Sequence, residues 1–112
     1  MMIKKVLIGE AELKIAIADN FWRRFLGLMG QKELPSAQGL LITSCNSVHM
    51  CFMRFAIDVV YFDEQFVVKK VVHDLRPWLG ISMCVGAASA LEIGAGEAKR
   101  LNINVGDKLT GM

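Results

Sequence analysis

SVHMCFMRFAIDVVYFD, Ser47 to Asp63, is the stretch whose reading decides the fold. Its apolar residues are β-formers, and it ends in the turn signal Asp63-Glu64-Gln65. Yet it also carries His49, Arg54 and Asp58, which a plain buried strand does not need. Drawn as one straight strand, His49 and Asp58 would stand ~30 Å apart at ~3.3 Å per residue. A bend near Arg54 to Ala56 makes the run two strands and brings the two polar side chains together. They then read either as satisfied polar groups that fix the strand register or as the wall of a small ligand site.

Outward from this run the pattern stays short-stranded. Ile3–Ile8 and Leu13–Ala18 form a hairpin around Gly9-Glu10. In its second strand Leu13, Ile15 and Ile17 face one way while Lys14, Ala16 and Ala18 face the other, a half-buried alternation. Asp19-Asn20 offers N-cap residues for a helix over Phe21–Met29, with Phe21, Trp22, Phe25, Leu26, Leu28 and Met29 as its apolar stripe. Arg23, Arg24 and Gly27 lie opposite, and Gly30 stops the helix.

Leu40–Thr43, Phe66–Val72, Met83–Val85, Ser89–Ile93 and Lys108–Thr110 read as further strands. His73–Gly80 reads as a loop and Glu97–Leu101 as a second short helix. The fold expected is mainly β (α+β): a small barrel-like or sandwich arrangement of short, mostly antiparallel strands with two short helices.

The 112 residues fit one domain, and 54% of them are hydrophobic. Thirteen Lys and Arg against eleven Asp and Glu leave a net charge of +2, too balanced for a nucleic-acid partner. The longest uncharged stretch is shorter than the ~20 residues of a membrane helix, and Glu10 interrupts the N-terminal apolar run. The expectation is a soluble cytoplasmic protein with no membrane partner. The apolar share, with Gly27 on the open side of the first helix, predicts a weak homodimer or a partner-binding surface there.

Three cysteines, Cys45, Cys51 and Cys84, are an odd number without paired spacing, so they are expected reduced and metal-free. Cys45, His49 and Cys51 do not match the paired spacings of zinc sites. Gly94-Ala95-Gly96 lacks the Lys-Ser/Thr of a phosphate-binding loop and reads as a tight strand-to-helix turn. No cofactor, metal or assigned catalytic residue is expected.

Four segments in order resemble the uncharacterised domain of unknown function 192 family. Arg24-Phe25-Leu26-Gly27-Leu28-Met29 is similar to its Arg-x-x-Gly-Leu-Met signature, and Gly39-Leu40-Leu41-Ile42 to its Gly-Met-Leu-Phe strand. Val48 to Val59 resembles the central motif. Leu91-Glu92-Ile93 through Ala95-Gly96 and Gly106-Asp107 resemble the C-terminal one. Met50 stands where the family often has Thr, and Ala56 where it often has Pro. The resemblance implies a compact, mostly β domain of bacterial type, with no established activity; many relatives are exported behind a leader that is not seen here.

The reading is therefore a small binding or accessory module, with His49, Arg54, Asp58 and Arg24 as candidate ligand-binding residues and a small ligand or a protein as its partner. The alternative is a hydrolase-like enzyme with His49 as base and Asp58 orienting it.

Overall fold

The computed structural model describes residues 2–18, 36–49, 55–78 and 80–112. The predicted first helix, the Gly27 surface, Arg24, Arg54 and Cys51 lie outside the described residues.

Nine strands and one short helix are described. Strands β1 (Met2–Ile8), β2 (Ala11–Ala18), β3 (Gln38–Thr43), β4 (Ser47–His49) and β5 (Ile57–Phe62) are followed by β6 (Val68–Leu75), β7 (Ile81–Met83) and β8 (Ser89–Gly94). Helix α1 (Glu97–Arg100) and β9 (Leu109–Thr110) complete the chain. Seven strands form one sheet in the order β6-β5-β8-β3-β2-β1-β9, and β4 pairs with β7 in a separate ribbon.

The β1–β2 hairpin turns where expected, with Ile8 opposite Ala11. All pairings are antiparallel except β2 with β3, where Ile15 lies beside Gly39. A parallel neighbour cannot be reached by a tight turn, and β2 and β3 are accordingly far apart in the chain. At the far edges, Val67 bridges Lys108 and the Leu109 amide donates to the Phe66 carbonyl at 2.9 Å. This contact curls the sheet into a half-barrel whose outer strands touch.

The alternation of the central strands builds two cores. Leu41, Val60, Phe62, Leu91 and Ile93 join Val6, Ile8, Leu13 and Ile15 on the concave side, where Ala98 of α1 and Ile103 plug one end. Leu40, Ile42, Ile57, Val59, Tyr61 and Ala90 face the other way and are covered by Val48 and Cys84 of the β4–β7 ribbon and its flank. All six residues of β5 are buried, because its two faces both meet a core. That double burial absorbs much of the unusual apolar share.

Several boundaries change, and the strand expected at Met83–Val85 lies at Ile81–Met83. His73-Asp74 belong to β6, which runs to Leu75, so the loop starts later than the residue types imply. The final helix ends one residue earlier, in a Schellman stop: the Ile103 amide donates to the Ala98 carbonyl and the Asn102 amide to that of Lys99, with Asn102 at φ 55°.

Candidate functional site

Between Ile57 and Val59 the β5–β6 register slips: Ile57 lies opposite Leu75 but Val59 opposite Val72. One residue of β5, Asp58, is thus faced by two of β6, His73 and Asp74. This is a β-bulge, a device that re-aims side chains. Asp74 sits at φ 53°, a left-handed conformation that Asp tolerates better than most residues.

Asp58 is fully buried. By strand alternation its side chain shares the concave face with Val60 and Phe62, toward α1. Its Oδ1 accepts the Asp74 amide at 2.9 Å, and its Oδ2 accepts those of Gly96 at 3.1 Å and Ala98 at 3.0 Å. The start of a helix leaves amides unpaired, and the N-cap residue here, Gly96 at φ 88°, has no side chain to serve them. A carboxylate from β5 does the capping instead, and welds the bulge to the helix. His73 Nδ1 lies 4.0 Å from Asp58 Oδ2, an ion-pair distance rather than a hydrogen bond.

Around this joint lies a cleft of about 690 Å³, lined by His73 and Asp74 from β6 and by Gly96, Lys99, Asn102 and Asn104 from α1 and its exit. Asp58 lies behind the wall, since no part of it reaches solvent. The accessible polar groups combine an acid, an amine, an imidazole and two amides, which suits a small ligand carrying both donors and acceptors.

Next to the cleft, Glu97 ties α1 to the entry of β3. Its Oε1 accepts the Ala37 amide at 2.6 Å, and Arg100 Nε donates to Oε2 at 2.5 Å. The Arg100 hydrogen bond is the main cause that holds the Glu97 carboxyl down at about 2, against the opposing effect of burial.

Of the residues expected to form the site, Asp58 is the one whose side chain is described. His49 closes β4, its backbone paired with Ile81 in the ribbon that covers the convex face. The structure adds His73, Asp74, Lys99, Asn102 and Asn104. The sequence signal for the first two is a polar His-Asp pair directly after the apolar Val71-Val72. Glu92 is a second fully buried acid, opposite Leu40 and Val59, on the convex face with Ala90. Tyr61 on that face donates its hydroxyl to Ser82 Oγ at 3.1 Å, and burial pushes its phenol up. Among the described residues no group of three or more His, Cys, Asp or Glu could hold a metal, and no helix is long and apolar enough to cross a membrane.

Comparison with known proteins agrees with this architecture. A UPF0127 protein of Pyrococcus furiosus is 37% identical over 110 residues, spanning 89% of this chain and 88% of that protein. One of Pyrococcus abyssi is 35% identical over 112 residues, spanning 93% and 95%. Both relatives are archaeal, whereas the motif resemblance implies a bacterial-type family. A Sinorhizobium meliloti structure described as a candidate transcription regulator superposes with a TM-score of 0.87 at 21% identity, covering 98% of this chain and 94% of that one. A Novosphingobium aromaticivorans protein of unknown function superposes at 0.85 and 21% identity, covering 96% and 84%. At that identity the likeness is one of fold. The profile of the DUF192 family, described as "Uncharacterized ACR", matches residues 4–111, and the chain belongs to that family.

Proposed function

We propose that the protein is a small binding or accessory module that takes a small polar ligand in the cleft beside Asp58. The observation that carries this reading is the bulge. Two polar residues, His73 and Asp74, are turned toward a cleft whose other wall is Lys99, Asn102 and Asn104, and a buried carboxylate holds the two walls together. Strain and irregular pairing are placed where side chains must be aimed. His49, Arg54 and Arg24 remain proposed contributors to ligand binding.

The hydrolase-like alternative asks Asp58 to orient a histidine base. Both of its oxygens already serve backbone amides, and one serves two, which favours binding over acid–base chemistry. Thermal-shift screening against a panel of small polar metabolites and metal ions tests the proposal. At least one compound should raise the melting temperature of the natural chain, and Lys99→Ala or Asn104→Ala should abolish that response without lowering the melting temperature itself. A panel with no stabiliser, or a response indifferent to both substitutions, rejects the cleft as the site. Turnover of ester or phosphate substrates that is lost in His49→Ala would restore the enzyme reading.

A further inference from the structure

Large apolar side chains are exposed at eight described positions, and four of them, Trp78, Ile81, Met83 and Val85, fall within one short stretch. Ile81, Met83 and Val85 alternate with Ser82 and Cys84, so they share the outward side of β7 and its continuation. Ser82 and Cys84 face inward, to Tyr61 and the convex core. Val85 stands at the corner of a tight turn, closed by the Ala87 amide on the Cys84 carbonyl at 3.1 Å with Gly86 at φ 84°. Its exposure is 83%, and that of Ile81 is 77%.

Two cations are clamped beside this strip. Lys70 Nζ donates to the Met83 carbonyl at 2.9 Å, and Lys69 Nζ to the Val85 carbonyl at 3.4 Å. No carboxylate pairs with either ammonium among the described residues. We propose that the strip is a peripheral membrane-contact surface: Ile81, Met83 and Val85 enter the headgroup region of a bilayer while Lys69 and Lys70 meet anionic lipid phosphates.

Three features select this occupant. One edge of β7 is paired with β4, and the lysines take carbonyls of β7 and its continuation, so the strand is not open to a partner's strand. The strip lines neither of the clefts that flank α1, and Val85 stands at the corner of an exposed turn. A second copy packed strip to strip about a two-fold axis would bring the same lysines, which no carboxylate neutralises among the described residues, close to one another. An anionic lipid surface instead offers opposite charge together with an apolar interior, and the exposed Trp78, three residues before Ile81, is of the type that favours such interfaces. The contact needs no spanning segment.

Co-sedimentation of the full chain with phosphatidylcholine vesicles, with and without phosphatidylglycerol, tests the proposal. Binding should require the anionic lipid and weaken as salt is raised. Lys69→Gln with Lys70→Gln should weaken it about 30-fold, the factor expected for two lysines at an anionic leaflet. Val85→Asp, at an exposed turn corner where folding is unaffected, should abolish it. Absence of vesicle binding at low salt, equal binding to neutral vesicles, or unchanged binding by Val85→Asp would each overturn the proposal. So would a dimer, detected by light scattering, that Val85→Asp dissolves, because the strip would then belong to a second copy.

Discussion

Replacing Asp58 is the sharpest test of how this fold is held. Its carboxylate accepts three backbone amides, from Asp74, Gly96 and Ala98, with no exposure to water that could replace them. Asp58→Ala removes the carboxylate acceptor of all three amides and leaves a void. An unsatisfied buried donor costs ~1–3 kcal/mol, and the three are not additive because the joint relaxes as a unit. A loss of about 4 kcal/mol is therefore expected, a large part of the ~5–15 kcal/mol that a domain possesses. Asp58→Asn should cost about half as much. Its oxygen can still serve Gly96 and Ala98, but its amide group then points a donor at the Asp74 amide. Urea unfolding followed by circular dichroism gives both values from the midpoints, provided the slope is unchanged. The expected order is Asp, then Asn, then Ala. A loss below about 1 kcal/mol for Asp58→Ala would refute the idea that this carboxylate caps the helix and holds the bulge, since even one orphaned amide costs that much.

Three further outcomes follow from the geometry. The Glu97 carboxyl titrates near 2 when folded against 4.5 when free, so its contribution is complete above pH 4.5 and disappears as pH falls toward 2. Glu97→Gln should cost about 1–2 kcal/mol at neutral pH, discounted because Arg100 is half exposed, and should flatten the acid limb of a stability–pH series. Tyr61 is the sole tyrosine, so an ultraviolet titration reads it alone; ionisation should begin above its ordinary 10.0, with stability falling as pH rises through the raised value. Tyr61→Phe should remove that alkaline loss at a cost of about 0.5–1.5 kcal/mol for the Ser82 hydrogen bond. Gly39→Ala would place a methyl 2.9 Å from the Glu92 carbonyl and 2.8 Å from Ile93 Cγ2, so a loss of about 1–3 kcal/mol in the same urea assay is expected.

What the sequence determined by itself is what lies in local pattern. Leu13, Ile15 and Ile17 announce a half-buried strand because alternation with period two is a property of the backbone. Asp63 marks its turn because its short side chain can bond the amides of Gln65 and Val67, as it does at 2.8 and 3.0 Å. The four ordered motifs suffice for the family, and the second short helix is visible in Gly96 and Glu97. The apolar run Ile57 to Phe62 also says that this strand is buried, but not that it is buried on both faces, since either core alone would be compatible with it.

Tertiary structure alone decided the rest. Nothing local makes β3 run parallel to β2; that depends on where the crossover returns the chain. Asp58 reads as a polar intruder until amides 16, 38 and 40 positions away are brought around it. His73 looks like a loop residue, because a bulge exists only in the mismatch between two strands and is invisible in either one. The exposed Ile81, Met83 and Val85 resemble core residues by type, and only the placement of β7 outside the half-barrel turns them to water. Side-chain type encodes what a position can do in any fold, whereas a site is made of relative positions, which long-range pairing creates.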